Sequence, residues 1–247
     1  MNDQRRPAIA LECVTKSFGE KQVLRDVSLG IQEGEAVCLL GRSGTGKSVT
    51  LKLMIALLKP DKGRIWIGNQ DISLLEPRAL SGVRRKMGFL FQSAALFDSF
   101  SVYDNLALPL LRMTDISRPQ IRKIVHNVLD EVGLADEAQT MPADLSGGMR
   151  KRAGLARCLV LDPEILLIDE PSSGLDAITA SEIDELLLRR KMQHNTTMVI
   201  VTHDPYGARR IGDRFAVLDH GSLIAFGSPK ELERHPSDTV RNLIRER

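Results

Sequence analysis

Aromatic side chains make up only 4% of the chain, with one Trp and two Tyr. Proteins that read single-stranded nucleic acid stack bases on such rings, so the sequence argues against that class. An excess of either charge is also missing: 34 Lys and Arg stand against 32 Asp and Glu, a formal net charge of +2. Neither DNA nor an acidic polymer meets a complementary field, and most charges read as a solvated mixed surface. The three cysteines, Cys13, Cys38 and Cys158, form no CxxC pair and no even framework. The simple expectation is a reduced, cytosolic chain whose thiols pack as small core hydrophobes. No apolar run reaches the roughly 18 to 20 residues of a membrane span. The opening Met1 to Arg6 is polar and has no apolar h-region, so no secretory leader is expected. Work at a membrane would then need spans supplied by another chain. There is no internal repeat, low-complexity stretch or long linker, and 247 residues suit one large domain with a subdomain.

Strand and helix signals alternate along that length. Ala8 to Val14 alternates apolar and polar residues, and Val23 to Ile31 forms a second strand. Ala36 to Leu40 is a short apolar run, as in a strand buried on both faces. A glycine-rich loop follows, then a helix from about Lys47 to Leu57. Arg64 to Gly68 and Met87 to Phe91 read as strands. From about Gln92 to Leu145 the pattern turns helical, with Pro109 limiting a helix over Val102 to Leu111. Ser117 fits an N-cap, Pro119 a first turn and Gly133 a C-terminal cap. The second half gives a helix over Ser146 to Leu161, a buried strand Ile165 to Asp169, a helix near Ile178 to Met192 and a strand Thr197 to Thr202. A short helix, strands Arg214 to Asp219 and Leu223 to Phe226, and two short tail helices complete it. Strands alternating with helices predict an α/β fold with a largely parallel sheet.

Three motifs carry chemistry. Gly41-Arg42-Ser43-Gly44-Thr45-Gly46-Lys47-Ser48 matches GxxxxGK[ST] between a buried strand and a helix, the context that a phosphate-binding loop needs. Glycines let backbone wrap phosphate oxygens, and the helix N-terminus adds positive potential. Lys47 suits the outer phosphates and Ser48 offers a hydroxyl to Mg²⁺. Ile165 to Ile168 is an apolar strand ending in Asp169 and Glu170. Asp169 suits a Mg²⁺ anchor; strand alternation points Glu170 to the other face, where it can polarise a water. Leu145-Ser146-Gly147-Gly148-Met149 opens a helix with a fit N-cap and bared amides, a second anion site ahead of the basic run Arg150-Lys151-Arg152.

Phosphate loop, Gln92 after a strand, Leu-Ser-Gly-Gly, Asp169-Glu170, Ser173-Gly174-Leu175-Asp176 and His203 after a strand occur in the order of the ABC transporter ATPases, which this chain resembles from about Ala8 to Gly227. The resemblance implies a P-loop NTPase core with an antiparallel β subdomain and an inserted α-helical signature subdomain at about 93–161. It implies a domain over 8–227 and a helical tail over 228–247. It implies ATP and Mg²⁺ as cofactors, with ATP sandwiched between two copies of the chain. The nucleotide contacts carried over are Phe18 on adenine, Gly41 to Ser48 with Val49 on the phosphates, and Ser146, Gly147, Gly148 and Asp176 across the dimer. The metal would take Ser48, Gln92 and Asp169, and catalysis Glu170, Gln92 and His203. A core role for Phe18, a helix cap for Asp176 and a structural role for His203 are the plainer alternatives. Met149 stands where many members have Gln, and Ala177 where many have Pro.

The stretch Phe91 to Leu106 and Leu-Ser-Gly-Gly-Met before Arg-Lys-Arg resemble the ATPases of Mla/MCE-type lipid transporters. This implies phospholipid transport through separate permease subunits and a lipid-binding MCE-type protein, at the cytoplasmic face of the inner membrane. Leu96, Phe97, Phe100, Val102 and Tyr103 suit a groove for a permease helix, or subdomain core. Other systems of similar size serve lipoprotein release, amino-acid uptake or cell division. A soluble ABC protein of translation or DNA repair would need a second motor domain or a coiled-coil insertion, and neither pattern is present.

Overall fold

The computed structural model describes residues 7–244. Met1 to Arg6 and the last three residues of the tail lie outside them. The first sheet is antiparallel, ordered β2-β1-β4-β5, from β1 (Ile9–Phe18), β2 (Lys21–Ile31), β4 (Lys62–Ile67) and β5 (Gln70–Asp71). The second has the order β10-β9-β3-β8-β7-β6. Here β3 (Ala36–Leu40), β6 (Met87–Leu90), β7 (Ile165–Asp169), β8 (Thr197–Val201) and β9 (Arg214–Asp219) are parallel, and β10 (Ser222–Gly227) returns antiparallel at the edge.

The period of two in these apolar strands divides the core. Ala36, Cys38, Leu40, Leu166, Ile168, Met198 and Ile200 join one buried cluster with the helical residues Val102, Leu106, Val125, Leu129 and Leu155. Their neighbours Val37, Leu39, Leu167, Val199 and Val201 join the other, with Ile9, Leu11, Ile31 and Ile65 of the antiparallel sheet. The central strands are thus apolar throughout because each face meets a different layer.

The helices are α1 (Lys47–Met54), α2 (Leu80–Arg85), α3 (Val102–Met113), α4 (Arg118–Glu131), α5 (Gly147–Leu159), α6 (Ala177–His194), α7 (Pro205–Ile211), α8 (Pro229–Leu232) and α9 (Asp238–Ile244). Between β6 and β7 lie α3, α4 and α5, whose apolar faces fill the helical side of the core. Ser117 caps α4 as expected, in a reciprocal capping box with Gln120. Pro109 lies inside α3 without ending it.

Three expectations change. Neither β5 nor α2 was expected: β5 is two residues long, and no side chain caps α2. The first strand runs on to Phe18 through a register shift between Leu11 and Val14, where Cys13 takes φ 51. That bulge exposes Glu12 and Cys13 together and breaks the alternation. Cys13 is therefore a surface thiol and not a core hydrophobe, unlike the buried Cys38 and Cys158.

Candidate active site

The phosphate loop joins the end of β3 to α1. Gly46 sits at the helix N-cap with φ 103, and a Cβ there would lie 2.5 Å from Leu24 Cδ2. Only glycine supplies both the left-handed backbone and the space. Thr45 Oγ1 donates to the Arg42 carbonyl at 2.9 Å and closes the loop. Lys47 is buried, and its Nζ donates to the carbonyls of Gly41 at 2.7 Å and Arg42 at 3.0 Å. Burial holds its ammonium below the ordinary lysine pKa, while Glu170 and Asp169 pull in the other direction.

Strands β7, β8 and β3 run parallel in that order, so their C-terminal ends bring the acids and His203 to this loop. Ser48 Oγ donates to Asp169 Oδ1 at 3.0 Å, joining α1 to the end of β7. Pleat alternation stops there. Glu170 takes φ 52 and its N–H donates to the Val201 carbonyl at 2.9 Å. This turn, and not an alternating strand, directs the Glu170 side chain. Its Oε2 lies 2.7 Å from Nδ1 of His203, which follows β8; the ring is exposed and the carboxylate largely buried. A non-glycine residue held at positive φ stores strain that its surroundings must offset.

Gln92 follows β6 and is exposed; its carbonyl accepts from Lys151 Nζ. Ser146 caps α5, its Oγ accepting from the Met149 N–H at 3.2 Å. A Cβ on Gly148 would lie 2.4 Å from Thr179 Cγ2, so this turn is built for glycine. Asp176 caps α6, accepting from the N–H groups of Ile178 and Thr179 at 3.0 Å each and from the Thr179 hydroxyl at 2.7 Å. Those bonds hold its carboxyl below the ordinary value, the Thr179 N–H first. Phe18 is 48% exposed at the tip of the β1–β2 hairpin, which excludes a core role. Val49 is half-buried against the second core cluster. Among the groove residues, Val102 is buried, Leu96 and Tyr103 pack partly on the helical core, and Phe97 and Phe100 are exposed.

The structure thus brings Lys47, Ser48, Asp169, Glu170 and His203 together, with the Gln92 backbone tied in through Lys151. No hydrogen bond or ion pair joins Phe18, Ser146, Gly147, Gly148 or Asp176 to residues 41–48 among the described residues. No cluster of three or more His, Cys, Asp or Glu residues suited to a metal occurs among them either. The Ser48 hydroxyl and the Asp169 carboxylate are hard oxygen donors set side by side, and their chemistry fits Mg²⁺. In the sequence Lys151 is one member of a basic run, yet in the fold it is buried beside the acids. Its partners lie 59 and 19 positions away, and no local motif announces them.

The ABC transporter family model matches residues 24–173, from β2 through the acids after β7. The chain is 43% identical over 245 residues to the probable ribonucleotide transport ATP-binding protein mkl of Mycobacterium leprae, covering 98% of this chain and 71% of that protein. It is 40% identical over 252 residues to the protein TRIGALACTOSYLDIACYLGLYCEROL 3, chloroplastic, of Arabidopsis thaliana, covering 94% and 72%. To the glycine betaine/proline betaine transport ATP-binding protein ProV of Salmonella typhimurium it is 36% identical over 250 residues, covering 97% and 62%. Among solved structures, the ATP-binding cassette MJ0796, dimeric in a post-hydrolysis state with ADP and Pi, superposes with TM-score 0.84 at 35% identity, covering 89% and 98%. The chain belongs to the ABC transporter family, as an ATP-binding subunit that binds ATP with Mg²⁺ and hydrolyses it.

Proposed function

We propose that this chain powers lipid transport, as one of two identical ATPases docked on a separate membrane permease. The observation that carries the chemistry is the pairing of Glu170 with His203 at 2.7 Å beside the Ser48–Asp169 contact. In this reading the amides of Gly41 to Gly46 and the Lys47 ammonium bind the phosphates. Ser48, Asp169 and Gln92 hold Mg²⁺, which when bound neutralises charge on the phosphate oxygens. Glu170 takes a proton from the attacking water, and His203 orients that carboxylate and reaches the γ-phosphate. Val49 flanks the phosphates, and Phe18, exposed on its hairpin, offers a face to adenine.

Each chain has one phosphate loop and one Leu-Ser-Gly-Gly turn. Two complete sites therefore need two copies, with Ser146, Gly147, Gly148 and Asp176 facing the partner's nucleotide. The helices of 93–161 move as the two copies close, and the exposed Phe97 and Phe100 lie on the face that meets the permease. Lipid as cargo is supported by the segment after Gln92, by Met149 in the signature and by a 40%-identical relative named for a galactolipid. An MCE-type lipid-binding partner and a place at the cytoplasmic membrane face follow from the same reading. A second reading, uptake of a small polar solute, is favoured by the ribonucleotide and betaine names of other relatives.

One experiment addresses both. Glu170→Gln is purified from membranes in detergent with ATP and Mg²⁺. ATP stays bound, turnover falls on the order of 10²- to 10⁴-fold, and a dimer is recovered with an integral membrane protein and co-purifying lipid. Undiminished turnover refutes the role of Glu170. Recovery with no membrane protein refutes the transport complex, and a complex carrying a polar solute without lipid favours the second reading.

A further inference from the structure

Lys151 lies on the buried face of α5, five positions past Ser146. Its Nζ donates to the carbonyl of Gln92 and, at 2.9 Å, to the carbonyl of Glu170. One ammonium thus holds the main chain of two segments that leave neighbouring strands, β6 and β7. Further along the same face, Arg157 donates to the carbonyls of Ala95 at 2.5 Å and Ala94 at 3.3 Å. Between them Gly154 admits close approach, since a Cβ there would lie 2.8 Å from the Ala94 Cβ. Positions 151, 154 and 157 share one helix face by their spacing of three. The helix that Ser146 opens is therefore fastened to the backbone of residues 92–95 and of Glu170.

The chemistry of the bond matters. A carbonyl removed from water needs a donor, and a charged donor holds it more tightly than a neutral one. Glu170 is already in a left-handed conformation, φ 52, which persists only if its surroundings fix it. Its N–H is fixed by Val201, and its carbonyl accepts from Lys151 at 2.9 Å and more weakly from the Ser173 N–H at 3.3 Å. Burial lowers the Lys151 pKa, and Glu170 and Asp169 act against that shift.

We propose that Lys151 is a positioning residue for hydrolysis: by gripping both carbonyls it sets the Glu170 carboxylate and the Gln92 segment relative to the start of α5. The inference rests on the reading of Glu170 as the group that polarises water. It adds that a shift of the Ser146 turn, when that turn engages the partner's nucleotide, reaches this chain's own Glu170 through a single side chain.

The test is a double-mutant cycle on the full-length chain with ATP and Mg²⁺, reading turnover, ATP affinity and melting temperature. Lys151→Met lowers kcat on the order of 10- to 100-fold, as expected for a misplaced reactive group. ATP affinity stays within about twofold. Lys151→Arg, which keeps the charge and a reach to both carbonyls, recovers most of the rate. In the Glu170→Gln background, Lys151→Met changes the residual rate by less than about twofold, because the group it positions is already gone. If Lys151→Met does not fold, Lys151→Gln, which keeps a donor without the charge, carries the same expectations. The proposal is overturned if the neutral variant turns over at the wild-type rate. It is equally overturned if ATP affinity falls in step with kcat, or if the losses multiply in the Glu170→Gln background. Failure of the underlying reading is separately visible as wild-type turnover in Glu170→Gln alone.

Discussion

Gly148 shows what a single residue decides. The Leu-Ser-Gly-Gly turn has two glycines, but only one is sterically required. A Cβ on Gly147 would meet nothing nearer than Leu175 Cδ2 at 3.8 Å, whereas one on Gly148 would lie 2.4 Å from Thr179 Cγ2. Gly148→Ala should therefore destabilise the chain by about 1–3 kcal/mol, the usual cost of overpacking, and depress ATP turnover. Thr179→Ser removes the offending methyl and keeps the hydroxyl that bonds Asp176. In the double variant Gly148→Ala/Thr179→Ser, thermal denaturation should recover most of the loss; no recovery would show that the backbone, and not the methyl, excludes alanine. Legibility at this scale followed sequence distance. The glycine loop before α1, the apolar strand that ends in Asp169 and the Ser146 cap are legible because each is a local pattern in the chain. The conformation of Glu170 is not, because φ 52 goes with a bond to Val201 on the neighbouring strand β8, 31 positions on. Lys151 was hidden for the same reason.

At the scale of elements, α6 and α7 meet at a carboxyl whose burial is costly when it is charged. Asp184 of α6 is 5% exposed, and Gly207 of α7 sits against both it and Asp204. Burial, first, and the nearby Asp204 and Glu185 raise its pKa from 3.8 to about 6, although Arg210, 3.9 Å away, pulls it down. The folded chain thus holds this proton more tightly than the unfolded one. Its contribution to stability is full below about pH 4 and is lost as pH rises to about 6. Melting temperatures of Asp184→Asn and wild type should diverge in favour of the variant over that window and run parallel above it. A constant difference from pH 4 to 7 would place the proton elsewhere. The elements themselves were legible where periodicity was long, as in α4 and α6. They were not where an element was short, as in β5, or where a bulge reset the pleat, as in β1 at Cys13. The proline in α3 was expected to limit that helix, but twelve residues with a Ser101 cap and a buried apolar face outweigh one lost bond.

For the whole molecule, the apolar runs of β3, β7 and β8 announced a sheet covered on both sides. The order β10-β9-β3-β8-β7-β6 could not be read, because it is set by which strands meet in space. The two coverings differ: α3, α4 and α5 pack on one side, and the antiparallel sheet with α1 and α2 on the other. That division also sorts the three thiols. Cys38 and Cys158 belong to the helical cluster, and burial pushes both up to about 12. Cys13 stands in the open on the bulge of the antiparallel sheet. A water-borne maleimide should accordingly modify one thiol in the folded chain and all three in denaturant, counted by intact mass; a second fast-reacting thiol in the native chain would contradict the packing. The irregularity in β1 therefore leaves the molecule with a native attachment point, on the layer without the signature turn. A dye or spin label placed there would report motion of that layer against the helices with no cysteine introduced by design.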